Sequence, residues 1–219
     1  SVVNGLDGND TITTNASGIL TRSGAAIGAG VSIDAGSGSD IVTLFVDGST
    51  TSAENAIVLG GVGDDTITVG AVSGVGGFTN VDGGEGADSI TISTGTYSAI
   101  AGGAGNDTIN LTGAVNLQTA DSISLGAGDD VISGSVTTTT GAGILGGAGA
   151  DTITLAAIAN SGSFVNGDDT VNGGAADVIS VTTQGVATIV RGKGGADTIG
   201  ISNLGVSAVV AGNAGGDMI

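Results

Sequence analysis

Ten aspartates recur along this sequence, and each closes a short glycine-rich segment. Nine of the ten have glycine two positions earlier, and Ala175 is the exception. Carboxylate oxygens, together with carbonyls directed by a glycine turn, are the ligands that a hard divalent cation such as Ca²⁺ prefers. The sequence contains no histidine and no cysteine, so the usual ligands of zinc and copper are absent. The candidate metal-binding aspartates are Asp10, Asp40, Asp65, Asp88, Asp107, Asp130, Asp151, Asp177, Asp197 and Asp217.

The glycines of these segments form the second half of the candidate site. Glycine adopts positive φ angles without steric cost, so it permits a tight turn that directs several carbonyl oxygens the same way. We expect such carbonyls to complete the coordination that the carboxylates begin. The candidate turn glycines lie four positions before an aspartate and are Gly36, Gly61, Gly84, Gly103, Gly126 and Gly147.

Acidic residues are concentrated in these segments. The chain has 19 aspartates, only 2 glutamates and a net charge of −18. Stacked turns would place carboxylates about 4.8 Å apart along one edge. Each neighbouring pair would repel by about 0.9 kcal/mol even at the dielectric constant of water. A divalent cation between successive turns removes this cost. Glycine–aspartate turns without a metal are the simpler alternative, but they leave the concentration of acid unexplained. We therefore predict several bound Ca²⁺ ions.

Short strands must position these turns. Isoleucine or valine lies two positions after all ten aspartates and seven positions before nine of them, with Thr170 as the tenth. Residues 65–69 and 88–92 alternate apolar and polar, as a strand with one buried face does. The aspartates recur at intervals of 19 to 30 residues, so one coil is strand, variable loop, strand and turn. This pattern predicts an all-β, right-handed parallel β-solenoid of about ten coils. One edge is glycine- and aspartate-rich and binds calcium, and the other carries loops of variable length.

The interior is predicted to be narrow and aliphatic. Valine, isoleucine, leucine and alanine fill it, and aromatic rings would not fit. The sequence contains no proline, which agrees with strands that are hydrogen-bonded on both edges. The aromatic residues all lie outside the two apolar columns: Phe45, Phe78, Tyr97 and Phe164.

The turn segments resemble a known family. Residues Gly102–Asn110 match every position of a glycine–glycine–x–glycine–x–aspartate–x–apolar–x pattern, and so do Gly60–Thr68, Gly83–Thr91 and Gly146–Thr154. This pattern is similar to the calcium-binding nonapeptide of the repeats-in-toxin (RTX) family. The resemblance implies a parallel β-roll in which aspartates and turn carbonyls of neighbouring coils hold Ca²⁺. It also implies a segment that folds only after secretion into calcium.

The chain departs from the usual repeat at several places. The family's turns recur on both edges of an 18-residue coil, whereas here one edge keeps the turn. Asp121 lies nine residues before Asp130 as a trace of the second motif. Isolated additional sites are therefore expected near Asp121 and near Asp168 and Asp169. Ala175, Lys193 and Asn213 interrupt the glycine pattern, which makes the last three aspartates weaker candidates.

Several function classes are disfavoured by composition. The sequence lacks the histidine and cysteine of common nucleophile–base pairs, and carboxylate pairs such as 64/65 lie in the repeated turn, so we predict no enzyme. Only three lysines and arginines oppose a net charge of −18, which argues against nucleic-acid binding. No apolar run reaches the roughly 18 residues that a spanning helix needs, so we expect no membrane span.

The function predicted is a calcium-dependent structural region of a secreted bacterial cell-surface protein, such as a surface layer, filament or adhesin, exported by type I secretion. Residues 1–219 are expected to form one solenoid domain of a longer protein, because neither end carries a polar cap. Its expected partners are calcium ions and neighbouring copies or flanking domains. One alternative is an ice-binding solenoid whose outward threonines include Thr66 and Thr152. Another is an accessory RTX module of a secreted enzyme.

Overall fold

In this computed structural model the described residues are 2–13, 19–20, 25–26, 32–44, 56–70, 79–138, 141–159, 162–168 and 174–219. They contain twenty-one β-strands, numbered in chain order, and no helix that could span a membrane. Nineteen of the strands belong to one sheet, and every pairing within it is parallel. The remaining two, β3 (Ile19–Leu20) and β4 (Ala25–Ala26), form a separate antiparallel pair.

The strands that precede the turns stack into a first ladder. Each strand pairs with the corresponding strand of the next coil, for example β5 with β7 through Ile33 and Val58. The strands of this ladder are β1 (Val2–Asp7), β5 (Ser32–Ser37), β7 (Ile57–Val62), β9 (Thr79–Glu85), β11 (Gly95–Ala104), β13 (Val115–Ala127), β15 (Gly143–Ala148), β17 (Phe164–Asp168), β19 (Ile189–Gly194) and β21 (Val209–Ala214).

The strands that follow the aspartates form a second ladder. Ile109 pairs with Ile90 below and Ile132 above, and Thr198 continues the ladder through a parallel bridge to Met218. The strands of this ladder are β2 (Thr11–Thr13), β6 (Ile41–Leu44), β8 (Thr66–Val69), β10 (Ser89–Ile92), β12 (Thr108–Leu111), β14 (Val131–Thr138), β16 (Thr152–Ala159), β18 (Val178–Gln184) and β20 (Thr198–Asn203). The predicted class, a parallel β-solenoid, is confirmed.

Two apolar columns fill the interior as predicted. Side chains in the middle of each ladder, such as Ile123 and Ile132, are fully buried. One assignment within the first column was wrong. Val165, and not Thr170, pairs with Ile144 and Val190, because an insertion separates this strand from its aspartate. Thr170 itself lies outside the described residues.

The expectation that no ring fits the interior was also wrong. Tyr97 is fully buried, and its hydroxyl has no hydrogen-bond partner among the described residues. Tyr97 belongs to a third set of short parallel pairings on the loop side, where it pairs in register with Thr79 and Leu117. Phe164 is half-buried and its ring covers the Cα of Gly143 in the preceding coil. Phe45 and Phe78 lie outside the described residues.

The third set of pairings was not predicted from the sequence. Val115 pairs with Val136, and the last residues of β14 pair in register with the last residues of β16. Val115, Leu117, Val136 and Ile158 are buried there. The loop side is therefore ordered β-structure through these coils, and it widens the interior enough to accept Tyr97.

Neighbouring residues on opposite faces give a direct test of the buried column. We expect Ile132→Ala to lower the free energy of unfolding in calcium by about 2–5 kcal/mol, because it leaves a cavity in the core. Val131 is 40% exposed on the outer face, so Val131→Ala should change it by less than about 0.5 kcal/mol. Denaturant unfolding of both variants makes the comparison. Equal effects would contradict the assigned faces.

Candidate metal centre

Left-handed residues build the turn between the two ladders. Gly61 and Gly63 have φ angles of 114° and 123°. A Cβ at Gly61 would overlap the carbonyl oxygen of Gly36 in the preceding coil, so the stacked backbone and the positive φ angle both favour glycine in this coil. Lys193 and Asn213 take this turn position in later coils and adopt φ angles of 79° and 78°. The interruptions of the glycine pattern therefore preserve the turn conformation at a cost in strain.

A continuous hydrogen-bonded column runs through the aspartates. In each case the backbone N–H of one aspartate donates to Oδ1 of the aspartate in the next coil. At the centre of the solenoid, the N–H of Asp88 donates to Asp107 over 2.8 Å and the N–H of Asp107 donates to Asp130 over 2.7 Å. The column links Asp10, Asp40, Asp65, Asp88, Asp107, Asp130, Asp151, Asp177, Asp197 and Asp217 in order.

The second oxygen of these carboxylates is left without a partner. Oδ2 is buried and accepts no hydrogen bond from any described residue in eight members of the column. Their side chains are only 1–2% exposed. Burying an ionised oxygen without compensation is strongly unfavourable. These eight aspartates are Asp40, Asp65, Asp88, Asp107, Asp130, Asp151, Asp177 and Asp197.

Six of the eight unpartnered oxygens lie beside a glycine; the other two belong to Asp40 and Asp130. Oδ2 of Asp65 lies against Gly60 of its own coil, beside the carbonyl oxygen of Gly83 in the next coil, and a Cβ at Gly60 would overlap both oxygens. The arrangement recurs beside Gly83, Gly102 and Gly146. Oxygens of two adjacent coils therefore converge beside these glycines.

Burial raises the pKa values of seven aspartates of the column: Asp65, Asp88, Asp107, Asp130, Asp151, Asp177 and Asp197. Desolvation is the largest cause, and it outweighs the hydrogen bond that each carboxylate accepts from the backbone. Neighbouring carboxylates raise the pKa further. The pKa of Asp88 rises to about 6, and the pKa values of Asp107, Asp151 and Asp177 rise to about 7. The charged column is therefore poorly stabilised by the protein alone.

An outer row of hydrogen bonds was missed by sequence analysis. It uses the side chain immediately before the column aspartate, which accepts from a backbone N–H of the following coil. Asn106 accepts from Asp129, and Asp129 accepts in turn from Ala150. Asn9 and Asp64 do the same for their next coils. The recurring asparagine or aspartate before the column aspartate was the available signal. These exposed residues join successive turns by hydrogen bonds and lie outside the interior.

The predicted additional positions have different surroundings. Asp121 is only partly buried, and its Oδ2 accepts a hydrogen bond from the N–H of Gln118 over 2.8 Å, within β13. Asp168 is 3% exposed and lies with Asp177 and Asp197. Asp169 lies outside the described residues. The predicted turn glycines Gly36, Gly61, Gly84, Gly103, Gly126 and Gly147 all adopt positive φ angles.

The donor set fits a hard cation. It consists of buried carboxylate and carbonyl oxygens, and the sequence contains neither histidine nor cysteine. Bound between coils, Ca²⁺ would supply the positive charge that the buried carboxylates lack. The ion would be held by unpartnered Oδ2 atoms, each together with a carbonyl oxygen of the next coil. The aspartates that supply these atoms are Asp65, Asp88, Asp107 and Asp151.

A comparison with protein families agrees with this geometry. The RTX calcium-binding nonapeptide repeat matches in four copies, at residues 2–17, 99–113, 118–136 and 144–157. No curated protein and no solved structure matches the chain. The resemblance deduced from the sequence is thus confirmed, since the chain carries four copies of the RTX calcium-binding repeat and folds as a parallel β-solenoid. Such repeats imply Ca²⁺ binding and are not typically catalytic.

Replacing Asp107 by asparagine should have opposite effects with and without calcium. Asparagine keeps the Oδ1 acceptor for Asp88 but removes a buried charge. In chelator we expect Asp107→Asn to raise the free energy of unfolding, on the order of 1–3 kcal/mol. In saturating calcium it should lower the free energy of unfolding, because one ligand charge is lost. Thermal melts of the wild type and of Asp107→Asn, in chelator and in saturating calcium, measure the direction of each change.

Asp107→Ala is the matched control for this substitution. It also removes the acceptor for the Asp88 N–H, so it should destabilise the fold in both buffers. If Asp107→Asn shifts the melting temperature in the same direction with and without calcium, the carboxylate does not act through a cation.

The raised pKa values predict an unusual pH dependence in the absence of calcium. An unfolded aspartate titrates near about 3.9, whereas Asp107 titrates at about 7 when folded. The folded state therefore binds more protons between these values, and its stability falls as pH rises through them. We expect the chelated protein to melt at a higher temperature at pH 5 than at pH 8.

Calcium should oppose this trend, because it competes with protons for the same oxygens. Melts at both pH values in chelator and in saturating calcium test the prediction. A chelated protein that becomes more stable towards pH 8 would contradict the assigned burial of the column.

Proposed function

We propose that this chain is a calcium-dependent structural region of a secreted bacterial cell-surface protein, in which Ca²⁺ bridges successive coils. Residues 1–219 act as one solenoid domain, and neighbouring copies or flanking domains of the same surface assembly are its partners. The observation that carries the proposal is the column of eight buried carboxylates whose Oδ2 atoms have no partner among the described residues.

The column makes folding depend on the cation. Without calcium, each buried carboxylate must lose its charge or keep an unpartnered oxygen away from water, and its neighbours repel it. With calcium, binding energy becomes folding energy, since the unfolded chain has no preformed site. Calcium sites of extracellular modules work at about 10⁻⁴–10⁻³ M. A chain of this kind is much less stable where calcium is scarce, which suits type I export, and becomes stiff outside the cell.

The structure favours a scaffold over a catalyst. Most of the charged and polar groups that could react belong to the repeated turn, where they hydrogen-bond from coil to coil. An accessory module of a secreted enzyme would have the same requirement for calcium. Attachment to a catalytic domain would distinguish that alternative from a surface scaffold.

The ice-binding alternative uses the outer face of the second ladder. Thr108, Thr152 and Thr198 lie in register there, but Val131 and Val178 alternate with them, 40% and 45% exposed. These valines break the row of hydroxyls. A thermal-hysteresis assay separates this function from a structural one.

Withdrawal of calcium tests the proposed function. We expect chelation with EDTA to lower the melting temperature sharply, with a weaker β-sheet circular-dichroism signal at 37 °C, and calcium to restore both. Magnesium at equal concentration should restore much less, because it demands a smaller octahedral site and keeps its waters. If EDTA leaves the spectrum and melting temperature unchanged, calcium does not stabilise this fold.

The proposed cell-surface location can be tested with the same chelator. Protease added to intact cells should cleave the chain rapidly after EDTA treatment and slowly in calcium. A protease that reaches the chain only after cell lysis would contradict the surface location while leaving calcium-dependent folding intact.

A further inference from the structure

One coil differs from the others in its turn. Register pairs Gly147 with Asp168, so an aspartate takes the position of a turn glycine. Four positions separate Gly147 from Asp151, whereas nine separate Asp168 from Asp177. The lengthened turn brings an additional carboxylate to the aspartate column. This coil also lies outside the four segments that match the RTX repeat.

Three carboxylates meet at this level of the solenoid. Asp168, Asp177 and Asp197 each offer an oxygen, and these oxygens all lie within 4.8 Å of one another. The three side chains are 3%, 1% and 1% exposed. Two further aspartates of the column, Asp130 and Asp151, lie in the preceding coils, so the negative charge continues below the cluster.

The cluster holds buried oxygens that the protein does not satisfy. Oδ2 of Asp177 and Oδ2 of Asp197 are buried and have no hydrogen-bond partner among the described residues. Oδ2 of Asp177 lies against Gly167, and the carbonyl oxygen of Gly192 points to the same space. The cluster therefore combines two carboxylate oxygens without partners, one carbonyl oxygen and the carboxylate of Asp168.

Burial and neighbouring carboxylates act on two of these aspartates. Desolvation and then Asp168 and Asp197 raise the pKa of Asp177, and desolvation and then Asp217 raise the pKa of Asp197. Negative charge is therefore concentrated at this level of the column.

We infer that Asp168, Asp177 and Asp197 form a three-carboxylate Ca²⁺ site that binds more tightly than the other sites of the column and fills first. The inference rests on the proposed calcium-dependent function. Affinity for calcium in oxygen-ligand sites rises with the number of charged ligands. Elsewhere in the column, a carboxylate oxygen and a carbonyl of the next coil face each space, as beside Gly60. As calcium rises, folding should therefore begin in the coils around β18 and β20.

The test compares calcium titrations of the wild type, Asp168→Asn and Asp121→Asn, by isothermal titration calorimetry with buffered free calcium. We expect the wild type to show one tight step before the remaining sites fill. Asp168→Asn should weaken that step by about tenfold or more and leave the later steps unchanged. Asp121 lies outside the column, where its Oδ2 accepts from Gln118, so Asp121→Asn should leave the tight step unchanged.

Hydrogen exchange of the unaltered chain gives a second measurement that needs no variant. At calcium levels that fill only the tight step, the amides of Ile179 and Ile199 should be protected before that of Ile67. Calcium binding in which Asp168→Asn retains the tight step, or in which Ile67 is protected first, would overturn the inference alone. Absence of calcium binding in all three proteins would overturn the proposed function as well.

Discussion

The need to neutralise a column of buried carboxylates governs this solenoid. Nine of the ten aspartates of the column use Oδ1 to accept a backbone hydrogen bond from the preceding coil, and this bond places the side chain inside the stack. In eight of them Oδ2 is then held away from water with no donor among the described residues. Since the hydrogen bond and the burial arise from the same side-chain position, the fold cannot keep one and avoid the other. A cation that binds between coils resolves this conflict.

The glycines of the turn follow from the same constraint. Coils stack so closely that a Cβ at Gly61 would overlap a carbonyl of the coil below, and a Cβ at Gly60 would fill the space that Oδ2 of Asp65 faces. The turn therefore has little freedom in its choice of residue. Where Lys193 and Asn213 replace the turn glycine, the backbone keeps its left-handed conformation, which shows that the stacking overrides the local preference of the residue.

Stability in such an array is shared between neighbours. Each coil contacts the coil before it and the coil after it, so the aliphatic columns, the aspartate column and the outer asparagine and aspartate row all run along the same axis. A change in one coil acts on two interfaces. The coil that carries Asp168 shows that the array tolerates an altered turn, because its strand keeps the register through Val165.

The sequence by itself determined the repeat, the two buried columns and the ten aspartates, because these features depend on spacing that every coil shares. Only the tertiary structure decided which oxygens are buried, since Oδ1 and Oδ2 become different only when a second coil supplies a donor to one of them. It also decided the position of Tyr97, which lies in the pairings on the loop side. In the same way it decided that Val165 occupies the first apolar column in the coil for which the spacing indicated Thr170. The meeting of Asp168 with Asp197 needs an insertion to be placed in three dimensions, because residues 29 positions apart become neighbours only when the coils stack.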